Sequence, residues 1–243
     1  MSGHSHARTI KHQKDITDQK RGQIFSKMAR VISIAVKDGG PNPETNTKLK
    51  VAIEQAKGFN LPKENIERAI KQATGGEEGT NLTEVVFEAF GPGGIAIIVE
   101  GITDNKNRTL GEIKQILNQN QGKLAGEGSV KWLFEKRGAI TVKPDEQPKI
   151  KNKDDLELTA IEAGAEDVYW YDNTLDVYTN PKDLDAVKKK LEEKEIKIDA
   201  TSLDLMPKEE ISVDKKTKEA CQKLFEILDE NDAVQEIYSN LKL

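Results

Sequence analysis

The chain has 243 residues, of which 33% are charged, 36% hydrophobic and 5% aromatic, with a mean hydropathy of −0.64. Its longest apolar runs, such as Ile95 to Val99, fall far short of the roughly 20 residues a membrane span needs, so no membrane segment is expected. One cysteine excludes a disulfide framework, and the formal charge of −5 is unevenly spread: residues 1–75 hold 14 Lys or Arg against 7 Asp or Glu, a balance of +7, while the other 168 residues hold 23 against 35, a balance of −12.

The opening stretch, MSGHSHARTIKHQKDITDQKRGQIF, carries all three histidines; up to Arg30 there are seven Lys or Arg against Asp15 and Asp18. It lacks the basic, apolar, small-residue order of a secretory signal and the Ser/Arg-rich character of an organelle presequence, so a cytoplasmic location is expected. A first helix is predicted from about Thr17 to Lys37, with Ile24, Met28, Val31, Ile32 and Ala35 on one apolar stripe. Lys20, Lys27, Arg30 and Lys37 form a second stripe beside it. A second helix is predicted with Asn42 as N-cap and Pro43 at its first position, burying Leu49, Ala52, Ile53 and Ala56 before Gly58 ends it. Pro62 opens a third, with Ile66, Ala69, Ile70 and Ala73 inside and Gly75-Gly76 as the stop. Three short amphipathic helices of this kind make a three-helix bundle.

From Gly79 the period changes to that of strands. Residues 82–90 and 95–102 flank GPGG and read as a hairpin. The polar loop TDNKNRT (103–109) leads into a helix with Leu110, Ile113, Ile116 and Leu117 inside, after which GKLAGEGSVKWLF returns to strand. Between Gly138 and Leu205 the order reads β-α-β-β-α-β, the ferredoxin-like unit. EEISVD, a helix from about Lys215 to Asp229 and the final AVQEIYSNL add strand, helix and strand. The expected architecture is therefore multidomain, α and α+β. It comprises a basic three-helix bundle (1–78), a discontinuous α+β middle domain (79–137 and 206–243) and a ferredoxin-like domain (138–205) inserted in the middle one.

Enzyme chemistry finds little support in the residue pattern. GPGG lacks the GK[ST] of a phosphate loop and sits between two strands, which hairpin geometry explains. His4 and His6 have no cysteine or acidic cluster beside them, so no metal is expected. Cys221 falls with Leu224, Phe225 and Leu228 at helical spacing and reads as a core thiol. No nucleophile stands at a recognisable distance from a base, and neither catalytic residues nor a cofactor are expected.

Nucleic acid suits the basic end better. Arg8, Lys11, His12 and Lys14 precede the first helix, and Lys20, Arg21, Lys27 and Arg30 continue along it. Cations repeating on that scale meet phosphates without choosing sequence, and their affinity falls as salt rises. In the loop 103–109, Asn105, Asn107 and Arg108 stand at a helix N-terminus, where amides and dipole favour an anion. No helix-turn-helix signature, zinc module or aromatic RNP motif is evident, so backbone shape rather than base edges is the expected target.

Several stretches jointly resemble the YebC/PmpR family: GHS (3–5), IKHQK (10–14), KRGQIFSK (20–27), GGPNPETN (39–46), NLPKENIERAIK (60–71), FGPGG (90–94), TDNKNRT (103–109) and GSVKWLFEKRG (128–138). The resemblance implies a helical domain plus two α+β domains, and a probable transcriptional regulatory protein that binds DNA. It equally brings in the mitochondrial translational activator of cytochrome c oxidase and factors that relieve ribosome stalling at proline-rich stretches, hence a ribosome-associated function that touches rRNA. A protein-binding adaptor built on the ferredoxin-like unit is the third class. Two departures stand out. His6-Ala7 replaces the usual Lys-Trp after GHS, removing a cation and a stacking aromatic, and Asn42 replaces the usual Asp.

Overall fold

The computed structural model describes residues 18–75, 81–144, 152–171 and 173–242, the side chains of 18–20 and 171 excepted. Seven helices and eight strands are defined among them. The helices are α1 (Asp18–Gly39), α2 (Thr47–Gly58), α3 (Lys63–Thr74), α4 (Lys106–Gln119), α5 (Lys153–Ala163), α6 (Leu184–Glu193) and α7 (Lys215–Asp229). The strands are β1 (Thr83–Phe90), β2 (Ala96–Thr103), β3 (Lys123–Leu124), β4 (Phe134–Val142), β5 (Asp167–Tyr171), β6 (Thr174–Thr179), β7 (Ala200–Pro207) and β8 (Val234–Ser239). The mixed α+β, multidomain class read from the sequence is the class observed. The chain divides into two compact units, one holding the described residues up to Lys131 together with 214–237, the other the described residues of 132–213 together with 238–242.

In the first unit α1 packs on α2 and α3 through Met28, Ile32, Ala35 and Val36, which meet Leu49, Ala52, Ala56, Ile66 and Ala69. Each large apolar side chain withdrawn from water here contributes about 1.5–3 kcal/mol. Another side of α1 carries Ile34, which with Val31 packs on Leu82 and Ile102 of the following segment. The helix thus has apolar neighbours on two sides, and its cations lie close to both.

The start of α2 differs from the sequence expectation. Asn42 organises a turn instead of a helix: its side-chain oxygen accepts the amide of Glu44, and its carbonyl accepts the amides of Thr45 and Asn46. Asn46 is the N-cap, with extended backbone (φ −117°, ψ 93°) and its Oδ1 accepting from Leu49 N at 3.0 Å. Its Nδ2 donates to the carbonyls of Ala35 (2.6 Å) and Gly40 (2.8 Å), tying the start of α2 to the end of α1. Gly39 leaves room for it, since a Cβ there would lie 2.7 Å from Asn46 Cγ. Asn46→Ala removes all three bonds and is expected to cost about 2 kcal/mol in urea unfolding. An Asn42→Ala change should cost under about 1 kcal/mol, because it frees only an exposed turn.

The hairpin is as read, with β1 and β2 antiparallel in the register Thr83↔Thr103 to Phe90↔Ala96. Its connection holds through Gly91 N to Ile95 O (2.8 Å) and requires positive φ at Gly93 (71°) and Gly94 (76°). The first sheet has the order β3-β1-β2-β8. Helices α4 and α7 pack on one another, burying Ile113 and Leu117 from one and Cys221, Leu224, Phe225 and Leu228 from the other. Leu110 is 39% exposed, not inside as the spacing suggested. The face that α4 buries is Thr109, Ile113 and Leu117, and Leu110 is turned about 100° away from it. Cys221 is buried and donates to Pro92 O, and burial pushes its thiol up to about 11, so it is a core residue.

In the second unit the elements run β4-α5-β5-β6-α6-β7 and the antiparallel sheet has the order β5-β6-β4-β7. Ile140, Val142, Leu175 and Val177 from the strands meet Leu156, Ala160, Val187 and Leu191 from the helices. Strand β4 begins at Phe134, four residues before the expected start, because Phe134 to Arg137 pair with β7 from Pro207 to Asp204. Two predicted strands are not formed as such. GKLAGEGSVKWLF gives the two residues of β3, then a glycine loop, a short 3-10 turn over Lys131–Leu133 and, in Phe134, the first residue of β4. EEISVD gives a single bridge, Ile211 with Leu241.

Candidate nucleic-acid interface

The predicted contact residues fall into three groups. Arg8, Lys11, His12 and Lys14 lie outside the described residues, and Lys20 is described only in its backbone as part of α1. Arg21 is exposed. The cations further along α1 meet protein.

Lys27 is the clearest correction. It is only 2% exposed, and its Nζ donates to the carboxylate of Asp229 at 2.7 Å and to the Asp229 carbonyl at 2.5 Å. Asp229 is the last residue of α7, so the ammonium sits at the negative end of that helix dipole. The lysine falls beside the apolar stripe, and the body of the unit covers that side of α1; it therefore faces Asp229 rather than a phosphate. Arg30 is half-buried and donates from Nη1 to the carbonyl of Ile102 at 3.0 Å. Lys37, near the end of the same helix, reaches the carbonyl of Leu82 at 3.1 Å. Three of the four cations on the predicted stripe thus hold α1 to the segments beside it.

The loop after β2 joins this arrangement. Asn105 caps α4 by accepting from Arg108 N, and Thr103 Oγ1 shares a hydrogen bond with Thr109 Oγ1 at 2.8 Å beneath it. Arg108 pairs with Asp104 at 2.6 Å and approaches Glu112 at 3.7 Å, while Glu112 accepts from Asn231. Slight burial pushes the Asp104 carboxyl up. Its own main-chain amide and the Arg108 guanidinium outweigh that and hold it below the usual carboxylate range, with Arg30 adding to their field. The structure therefore brings Arg30 and Arg108 to one end of β2 with Asp104 between them. Asn105, Asn107 and Arg108 are all exposed there.

Sequence reasoning passed over several cations. Lys106 is exposed in the same loop, and Lys50, Lys57, Arg68 and Lys71 are exposed on α2 and α3. Arg68 and Lys71 lie opposite the apolar face of α3, and Lys50 and Lys57 lie to one side of that of α2, which was the available signal. Among the described residues, no cluster of three or more His, Cys, Asp or Glu is disposed to hold a metal ion, and no helix is long and apolar enough to cross a membrane.

A helical segment docked on one sheet, joined to a second unit built on another, defines a multidomain α+β protein. The model of the TACO1/YebC second and third domain matches residues 82–241, and that of the TACO1/YebC protein N-terminal domain matches 5–76; the chain belongs to this family. It is 46% identical over its whole length to a probable transcriptional regulatory protein of Caldanaerobacter subterraneus, 99% of which is covered. A probable transcriptional regulatory protein of Halothermothrix orenii is 44% identical over the whole of this chain and 96% of its own. The crystal structure of a conserved hypothetical protein from Aquifex aeolicus superposes with a TM-score of 0.87 at 40% identity, covering 96% of this chain and 95% of that one.

Proposed function

We propose that the protein is a non-enzymatic, nucleic-acid-binding regulator of gene expression that acts in the cytoplasm and holds phosphate backbones through its basic amino-terminal end. The observation that carries this reading is the charge split, +7 over residues 1–75 and −12 over the rest, which turns one end toward a polyanion and the other away. Its relatives' naming as probable transcriptional regulatory proteins supports the regulatory half of it. The organisation proposed with it is three domains, a basic helical one, a discontinuous middle one and a ferredoxin-like insertion. The contacts are assigned to Arg8, Lys11, His12, Lys14, Lys20 and Arg21, with Asn105, Asn107 and Arg108 as a second point. A ribosomal target is the alternative to DNA, and the lack of a base-reading motif in the sequence favours it.

Co-sedimentation with ribosomes from a DNase-treated lysate, at low and moderate salt, separates the two. The control variant is Lys11→Glu with Lys14→Glu and Arg21→Glu, which leaves Lys27 in place. Salt-sensitive migration with ribosomal particles, lost in the variant, is the result for translation. Absence from ribosomes with variant-sensitive binding to duplex DNA is the result for transcription. Unchanged binding of both by the variant, with an unaltered circular dichroism spectrum, removes the amino-terminal end from the function.

A further inference from the structure

Both sheets are open, and each ends in two strands whose outer main-chain groups face whatever lies beside them. Natural edges are kept short, charged or covered, because a long apolar edge pairs with any strand that meets it. Three of the four edges here follow that rule. β3 has two residues, and β8 is buried at five of its six positions. β5 has five residues and starts at Asp167, which is exposed next to an exposed Glu166.

β7 does not follow it. The strand runs for eight residues, ATSLDLMP, without a Lys, Arg or Glu, and its one charged residue, Asp204, is only 2% exposed. All eight residues pair with β4, and no strand is paired with the other side of β7 among the described residues. Thr201, Leu203 and Leu205 share a face, the one on which Ile140 stands, because Thr201 is opposite Ile140 in the register. On that face α6 packs against β4, and a Cβ added at Gly138 would lie 3.0 Å from Leu184 Cβ. Gly138 is directly opposite Leu203, so the helical cover ends one strand short of the edge and leaves Leu203 46% exposed.

The strand that complements this edge is β7 of a second copy. Two identical strands paired antiparallel are related by a two-fold axis, which sets the same patch of each copy against the other. With the axis at Leu203, that leucine faces Leu203 of the partner subunit, Thr201 faces Leu205 of the partner subunit, and Ser202 faces Asp204 of the partner subunit. The uncovered leucines then bury one another, and no like charges are opposed. An axis at Asp204 would instead set two carboxylates face to face. The helices fit as well. Neighbouring strands lie about 4.8 Å apart, so the two β4 strands stand roughly 14 Å apart across the pair, more than the about 10–12 Å width of a helix with its side chains. A nucleic acid finds no cation on β7 to hold it.

We propose that the protein is a two-fold dimer in which β7 pairs antiparallel with β7 of the second copy about Leu203, joining two four-stranded sheets into one continuous sheet. The interface involves no nucleic acid, so it stands or falls apart from the reading above.

Sedimentation equilibrium of the full chain at high micromolar concentration tests it. The wild type is expected at twice the 27.0 kDa of the chain, at low and high potassium chloride alike, since the pairing is apolar. Leu203→Lys and Leu203→Glu each oppose like charges on the axis. Each should weaken the dimer about a hundredfold and give 27.0 kDa with an unaltered circular dichroism spectrum. Mixing the two variants at low salt should restore the doubled mass, because one copy of each places opposite charges on the axis. A wild-type mass of 27.0 kDa overturns the inference and leaves the edge to a strand of another protein. A dimer that dissociates in high salt overturns it in favour of contact between the basic and acidic parts of the chain. A dimer that survives both substitutions puts the interface elsewhere, and two monomeric variants whose mixture stays monomeric rule out the register; either result overturns it.

Discussion

Asp229→Ala is expected to lower the free energy of unfolding by about 3 kcal/mol, one of the two largest effects of any single change considered. The side chain of Lys27 is 3% exposed and that of Asp229 19%, so removing the carboxylate strands an ammonium that water barely reaches. The Asp229 carbonyl at 2.5 Å and the dipole of α7 still hold the cation, which keeps the loss near the low end for a broken buried pair. Lys27→Met together with Asp229→Leu should recover most of it, because replacing both partners by apolar groups leaves no uncompensated charge. Urea unfolding followed by circular dichroism measures all three. A loss under about 1 kcal/mol for Asp229→Ala would mean that water solvates the ammonium in place. The result bears on function too. A Lys27→Glu change sets like charges against each other between α1 and α7, so loss of nucleic-acid binding in that variant would report the undocking of a helix rather than a removed contact.

The same lysine marks where sequence legibility ended. Apolar periodicity located every helix of the described residues, since each one buries a continuous stripe. Ile32, Leu49, Ile113, Leu156, Leu191 and Leu224 all sit where the spacing put them or in the helix it defined. Periodicity cannot say what lies beside a stripe. Lys27, Arg30 and Lys37 read as a solvent-facing cationic row because nothing local reveals that Asp229, Ile102 and Leu82 come to meet them from residues 45 to 202 positions away. Asn46 was missed as a cap for a different reason. Asn42-Pro43 is an equally good local signal, and the choice between them is made by the carbonyls of Ala35 and Gly40. The glycine loop 125–131 reads as strand because its fold depends on a carboxylate 40 residues earlier. In the proposed interface, Asn105 and Arg108 were legible as a helix start, whereas the half-burial of Arg30 beside them was not, since the carbonyl of Ile102 that receives it lies 72 positions away.

Glu88 should be the other position of large effect, and its dependence on pH distinguishes it from an ordinary packing residue. Burial pushes its carboxyl up, but the amides of Val130, Gly128 and Lys131 outweigh burial and hold it below the usual glutamate range, with the Lys131 charge adding to them. The folded chain therefore favours the ionised form more than the unfolded chain does. Its contribution to stability is full above the unfolded glutamate value of about 4.3 and is lost as pH falls through the lower folded value. Glu88→Ala leaves three donors without an acceptor and is expected to cost on the order of 4 kcal/mol at neutral pH. Glu88→Gln keeps one oxygen, which can serve Val130 and Lys131 as Oε2 does now, but turns an amide NH2 toward the Gly128 N–H. Its cost should be about half as large. On acidification the wild-type carboxyl becomes protonated and also presents a hydrogen toward those donors, so the gap between wild type and Glu88→Gln must narrow. Urea unfolding of the pair at neutral pH and again below about pH 4 reads that gap directly. A gap that stays constant would mean that the amides bind a shape and not a charge.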